Sequence, residues 1–164
     1  MDLHPDVAPL AGLLGTWVGR GHGEYPTIEP FDYEETVTFA HVGKPFLRYE
    51  QRTRAIVDGQ LAQPLHAETG YWRCTGGGAL ELVVSHPTGI NEIEVGVAGV
   101  GEGGGIEIEL RSTMVALSPS AKPVTELRRS FRLQGDVLSY RVAMAAVGRP
   151  LQHHLAAELR RTSP

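Results

Sequence analysis

The 164-residue chain is 41% hydrophobic and 21% charged, with a formal net charge of −4. That is the balance of one globular domain spanning residues 1–164, and it offers no basic field for nucleic acid. Cys74 is the single cysteine, which excludes an intramolecular disulfide and a CxxC metal site.

The first residues, Met1-Asp2-Leu3-His4-Pro5-Asp6, lack the basic and apolar regions of a secretory signal. No apolar run approaches the roughly 20 residues of a membrane span, so no membrane partner and a cytoplasmic location are expected. Asp6 as N-cap, an early proline and apolar residues at 7, 10, 13 and 14 predict one short amphipathic helix, placed to plug one end of a barrel.

Alternating apolar and polar residues then predict strands over 16–24, 33–42, 46–56, 67–74, 79–85, 91–98, 106–117, 124–133, 137–146 and 153–161. On the second, Tyr33, Glu35, Val37 and Phe39 share a face. Turn signals such as Gln134-Gly135-Asp136 and Gly148-Arg149-Pro150 separate the last strands, and no crossover helix interrupts them. The fold class is therefore all-β, an antiparallel up-and-down barrel of ten strands in the fatty-acid-binding-protein or lipocalin manner. A barrel of that size has room for one small ligand.

Gly15-Thr16-Trp17-Val18-Gly19-Arg20-Gly21 places glycines and Trp17 on one strand face. The glycines relieve crowding while Trp17 packs at the barrel base, or the missing side chains leave room for a flat ligand. The GxGxxG match at Gly99–Gly104 is followed by the alternating segment Ile106-Glu107-Ile108-Glu109-Leu110, so it is a loop and not a dinucleotide site. Glu34-Glu35 point to opposite faces of a strand, Gly-x-Ser-x-Gly is absent, and Cys74 has no activating neighbour, so hydrolase chemistry finds no support. The seven histidines show no HxH or HExxH pairing suited to zinc.

His153-His154 is the informative pair, because one of two adjacent strand residues faces inward. Simple alternation groups His153 with Leu155, Ala157 and Leu159, and so favours His153 for an apolar interior. A β-bulge, or a cavity opening towards a polar rim, would reverse that assignment, so the alternation count leaves both histidines open.

Several segments together resemble the nitrobindins. They are Gly15–Gly21 with Gly23-Glu24-Tyr25-Pro26-Thr27-Ile28-Glu29-Pro30-Phe31; His41-Val42-Gly43-Lys44-Pro45; Leu65-His66-Ala67-Glu68-Thr69-Gly70-Tyr71-Trp72; Pro87-Thr88-Gly89; and Met144-Ala145-Ala146 running to Leu151-Gln152-His153-His154-Leu155. The resemblance spans nearly the whole chain and points to an actinobacterial, single-domain member. It implies a ten-stranded barrel holding haem b in a wide surface cleft, with His154 as the axial ligand of the iron. It also implies Leu65, His66 and Met144 around the haem, and Thr27 and Lys122 at its rim or propionates. Leu65 replaces the methionine common in the family, a swap of similar volume.

The implied activity is isomerisation of peroxynitrite to nitrate at ferric haem, with nitric oxide bound at ferrous haem. The expected partners are these small molecules, and the chain is expected to be a monomer or homodimer. The competing reading is a non-catalytic carrier of a fatty acid, haem or another hydrophobic ligand in the same barrel. A structural interaction module is disfavoured, since nothing in the sequence marks a large exposed apolar patch.

Overall fold

The computed structural model describes residues 2–163, the side chains of Glu102 and Ser163 apart; Met1 and Pro164, at the ends of the expected domain, lie outside the described residues. Ten strands follow a short N-terminal helix: β1 (Gly15–Tyr25), β2 (Ile28–His41), β3 (Phe46–Val57), β4 (Gln60–Gly76), β5 (Ala79–Ser85), β6 (Ile90–Val100), β7 (Ile106–Leu117), β8 (Val124–Gln134), β9 (Val137–Ala146) and β10 (Gln152–Ser163). Each pairs antiparallel with its chain neighbours, and β1 also pairs with β10, closing the barrel without a free edge. The expected fold class is thus the observed one.

β2 and β4 begin well before the alternating segments that predict them. Pro30 and Pro64 interrupt the pattern there, and around Pro64 the β3–β4 pairing slips register. Proline is tolerated where a ladder is irregular or near a strand start.

The helix differs in kind from expectation. It is a 3-10 helix over Pro5–Leu13, capped by His4, whose Nδ1 accepts from the Asp6 amide at 3.2 Å. The buried residues Val7, Leu10 and Leu13 recur every third position, which matches three residues per turn, and Pro9 inside the segment supplies no N–H for an α-helical bond. These side chains plug one end of the barrel. Trp17 Nε1 donates to the Leu13 carbonyl at 2.8 Å, and Arg161 covers the seam, its Nη2 donating to Gly12 O at 2.7 Å and its guanidinium lying 4.2 Å over the Trp17 ring.

The glycines of β1 serve packing. A Cβ at Gly21 would collide with the Tyr33 ring, one at Gly23 with the Phe31 ring, and one at Gly19 with the backbone of Glu158. Aromatic rings from β2 therefore occupy the space that a flat ligand would need on that face.

One expectation about the surface fails. Tyr71, Val83, Ile93 and Met114 are cross-strand neighbours on the outer wall of β4 to β7, and all four are exposed. Strands apolar on both faces produce this stripe, and a search for contiguous apolar runs does not register it.

Candidate functional site

The connections β1–β2, β3–β4, β5–β6, β7–β8 and β9–β10 all fall at the end opposite the helix, so the topology gathers that rim. His154 sits there, near the start of β10. The β9–β10 register runs Gln152↔Met144, His153↔Ala143 and then Leu155↔Val142, so His154 is the extra residue of a β-bulge. The bulge shifts the side-chain parity. Leu155, Ala157 and Leu159 keep their inward positions, His153 turns out to solvent, and His154 becomes half-buried. Alternation alone therefore favours the member of the pair that is exposed.

Two contacts orient the His154 ring. Its Nδ1 lies 3.1 Å from the Glu24 carbonyl oxygen, which can only accept, so Nδ1 carries the proton and Nε2 is left with a free lone pair. The ring packs edge-on against Tyr25 with centroids 5.4 Å apart. Tyr25 is itself fixed, its hydroxyl accepting from the Ala146 amide at 2.9 Å and donating towards Met144 O at 3.2 Å. Burial holds the His154 imidazole below its ordinary pKa despite the Glu24 bond, and the neighbouring His153 and Arg129 act in the same direction. At neutral pH the ring is uncharged, as ligation requires.

The other residues named from the resemblance distribute along this end of the barrel. Thr27 is exposed in the β1–β2 turn, and Lys122 is exposed in the β7–β8 connection. Met144, half-buried near the end of β9, pairs with Gln152 and packs on the core. Leu65 is 42% exposed on the early part of β4, and His66 beside it is half-buried.

Beneath the rim lies a polar cluster that no sequence motif announces. Arg129 of β8 is buried, with Nε 2.8 Å from Glu94 Oε1, Nη2 3.1 Å from Glu92 Oε1 and Nη1 3.2 Å from Glu68 Oε2. Tyr49 donates to Glu68 at 3.0 Å, and the Tyr140 hydroxyl, 2.9 Å from that of Tyr33, donates to Glu35. Burial raises the Glu35 carboxyl to about 8 against the opposing Tyr140 bond. Burial also lifts Glu94 to about 8 against the pull of Arg129. For Glu92 the same burial is outweighed by Arg129 and His86, which hold it well below the ordinary carboxylate range. Burial lowers His66, partly offset by Glu68. The available signal was the inward parity of Glu35, Glu68, Glu92, Glu94 and Arg129 on their strands.

A depression of about 1010 Å³ lies elsewhere, on the outer wall from β7 round to β3. It is lined by mixed charges such as Arg20, Asp32, Glu107 and Arg141 and touches the polar cluster through Tyr140, whereas His154, Thr27, Leu65, His66, Lys122 and Met144 do not line it.

Residues 6–161 match the family described as THAP4-like, heme-binding beta-barrel domain. The chain belongs to that family. A protein of Mycobacterium marinum named peroxynitrite isomerase 2 is 62% identical over 162 residues, covering 99% of this chain and 98% of its own. One of Mycolicibacterium paratuberculosis named peroxynitrite isomerase 1 is 64% identical, with 98% and 97% covered. A crystal structure of Rv2717c from M. tuberculosis, 56% identical, superposes with a TM-score of 0.92 over 98% of this chain and 99% of that one. The nitrobindin resemblance and the haem cofactor it implies are thus borne out. No helix among the described residues is long and apolar enough to cross a membrane.

The donor set at the rim of this haem-binding barrel fits its cofactor. A neutral imidazole with one nitrogen tied to a backbone carbonyl and the other free is the usual state of a histidine ligand.

Proposed function

We propose that the chain is a haem-dependent peroxynitrite isomerase with His154 as the protein ligand of the iron. The observation that supports the site is the bulge, which leaves His154 half-buried and His153 exposed, with His154 Nδ1 held by Glu24 O. When bound, ferric haem would supply the Lewis acidity that rearrangement of peroxynitrite to nitrate needs.

The chain's own residues bind and orient. His154 Nε2 donates its lone pair, and the Glu24 carbonyl keeps the ring from rotating away. Tyr25 braces the ring from the β1 side and ties that strand end to β9 through Ala146. Met144 and Leu65 supply apolar flanks, and His66 supplies a neutral imidazole beside them. Thr27 and Lys122, exposed on the rim, provide a hydroxyl and a positive charge for the propionates. With His154 as the one protein ligand, bound haem would stay accessible to peroxynitrite, and to nitric oxide when the iron is reduced. A cytoplasmic location and a single domain over 1–164 belong to the same reading.

The carrier alternative finds less support. Arg129, the buried guanidinium that would receive a fatty-acid carboxylate, is already surrounded by Glu68, Glu92 and Glu94. Stopped-flow decay of peroxynitrite tests the proposal. The ferric-haem-loaded chain should accelerate decay and raise the nitrate yield over the haem-free chain. Equal rates with and without haem would reject isomerase activity, and a colourless protein that releases lipid on extraction would favour the carrier.

A further inference from the structure

We propose that His66, Glu68 and His86 form a binding site for a divalent transition cation of the zinc class, separate from His154. His66 and Glu68 are two apart on β4 and so share its inner face, while His86 enters from the β5–β6 turn. One ligand atom from each of the three lies within 4.8 Å of the other two. His66 Nε2 is 2.9 Å from His86 Nδ1, which is 3.7 Å from Glu68 Oε1. Donor atoms around a tetrahedral ion with bonds of about 2.0–2.2 Å are spaced on that scale. Two imidazoles and one carboxylate, with a remaining position for water, are a recurrent set for Zn²⁺.

The outer shell is built as well. His86 Nε2 lies 2.5 Å from Glu92 Oε1, although its N–H is not aimed along that line and finds no aligned acceptor. The His86 side chain is only 7% exposed, so this is a buried imidazole with one nitrogen beside a carboxylate and the other facing the three-atom gap. A carboxylate behind a ligating histidine is the usual way of fixing the ring. Glu68 is held from behind by Tyr49 and Arg129, and the His66 backbone is anchored by its amide to Thr53 Oγ1 at 2.9 Å.

Charge points the same way. Three buried glutamates, Glu68, Glu92 and Glu94, surround one buried guanidinium, that of Arg129, and Glu68 and Glu92 both face the His86 ring. Buried carboxylates need compensating positive charge. A dication between His66, Glu68 and His86 supplies it where two of those carboxylates converge.

Co²⁺ titrated into the full chain, with and without bound haem, tests the site through the visible ligand-field bands of the ion. Wild type should take up one equivalent per chain with the intense bands of a four-coordinate ion. His86→Ala should abolish those bands, and Glu92→Gln, which keeps all three ligands, should weaken binding roughly 10–100-fold. His154→Ala should bind Co²⁺ as wild type does, so failure of this site and failure of the haem reading are separable. Far-UV circular dichroism identifies a variant that has not folded, and Glu68→Gln, of equal size, then gives the same reading. Absence of saturable binding by wild type would overturn the proposal. So would binding that survives both His86→Ala and Glu68→Gln, which would place the ion on surface histidines.

Discussion

The two ends of the barrel solve opposite problems. At the plugged end Val7, Leu10, Leu13 and Trp17 are almost wholly buried, Trp17 Nε1 ends on a backbone carbonyl, and the Arg161 guanidinium ends on backbone carbonyls and Asp136. Towards the other end the interior carries four glutamates and an arginine, the strand pairing slips at Thr53–Arg54 and at His153–Leu155, and a histidine keeps a free nitrogen. Apolar burial supplies the stability at the plug. The open end gives up regular pairing and apolar packing to hold reactive groups in place, as functional sites commonly do.

Substitutions should separate the two ends. Trp17→Ala removes a buried indole from the plug and should cost about 3–5 kcal/mol, read as a lower denaturant midpoint. The haem affinity of the fraction that remains folded should not change; a loss of affinity there would mean that the ends are coupled. Arg129→Met leaves Glu68, Glu92 and Glu94 without their guanidinium and should cost a similar amount, about 3–5 kcal/mol, at neutral pH. That loss should shrink as pH falls and the glutamates protonate, whereas the Trp17→Ala loss should stay constant.

The same cluster sets the pH dependence of the wild type. Glu35 and Glu94 have folded-state values raised to about 8, so the folded protein binds more protons than the unfolded chain between the ordinary carboxylate range and that value. Stability should therefore fall as pH rises through this window. Glu92, held low, contributes the reverse slope in acid, its stabilisation being lost as pH drops below the ordinary carboxylate range. Glu35→Gln, neutral at every pH, should make the fall towards pH 8 shallower; chemical denaturation at several pH values would show an unchanged slope if Glu35 is not the group.

The smallest effects belong to the rim. Thr27→Ala and Lys122→Ala should each change stability by no more than about 0.5 kcal/mol, since both side chains are exposed. Haem affinity should weaken by less than tenfold, and a larger loss in isothermal titration would make the rim a principal anchor.

How far the sequence discloses each end follows from the same contrast. Strand order and closure are legible because period-two alternation and short turns are local signals, as in Tyr33, Glu35, Val37 and Phe39. The plug is legible in its apolar residues but not in its helix type, because three apolar positions spaced by three fit either helix. The bulge at His154 leaves no mark in an alternation count; resemblance to a family selects His154, and the β9–β10 register then supplies the reason. The grouping of His66, Glu68 and His86 is invisible to motif spacing, since the β4–β5 register, with Thr69 opposite Ser85, is what sets His66 and Glu68 beside the β5–β6 turn.

The most direct test of the central claim is a haem titration of wild type, His154→Ala and His153→Ala, followed by the Soret band. Wild type and His153→Ala should develop the same histidine-ligated spectrum with matching affinity, while His154→Ala should lose it. Retention of that spectrum by His154→Ala, or its loss from His153→Ala, would contradict the account.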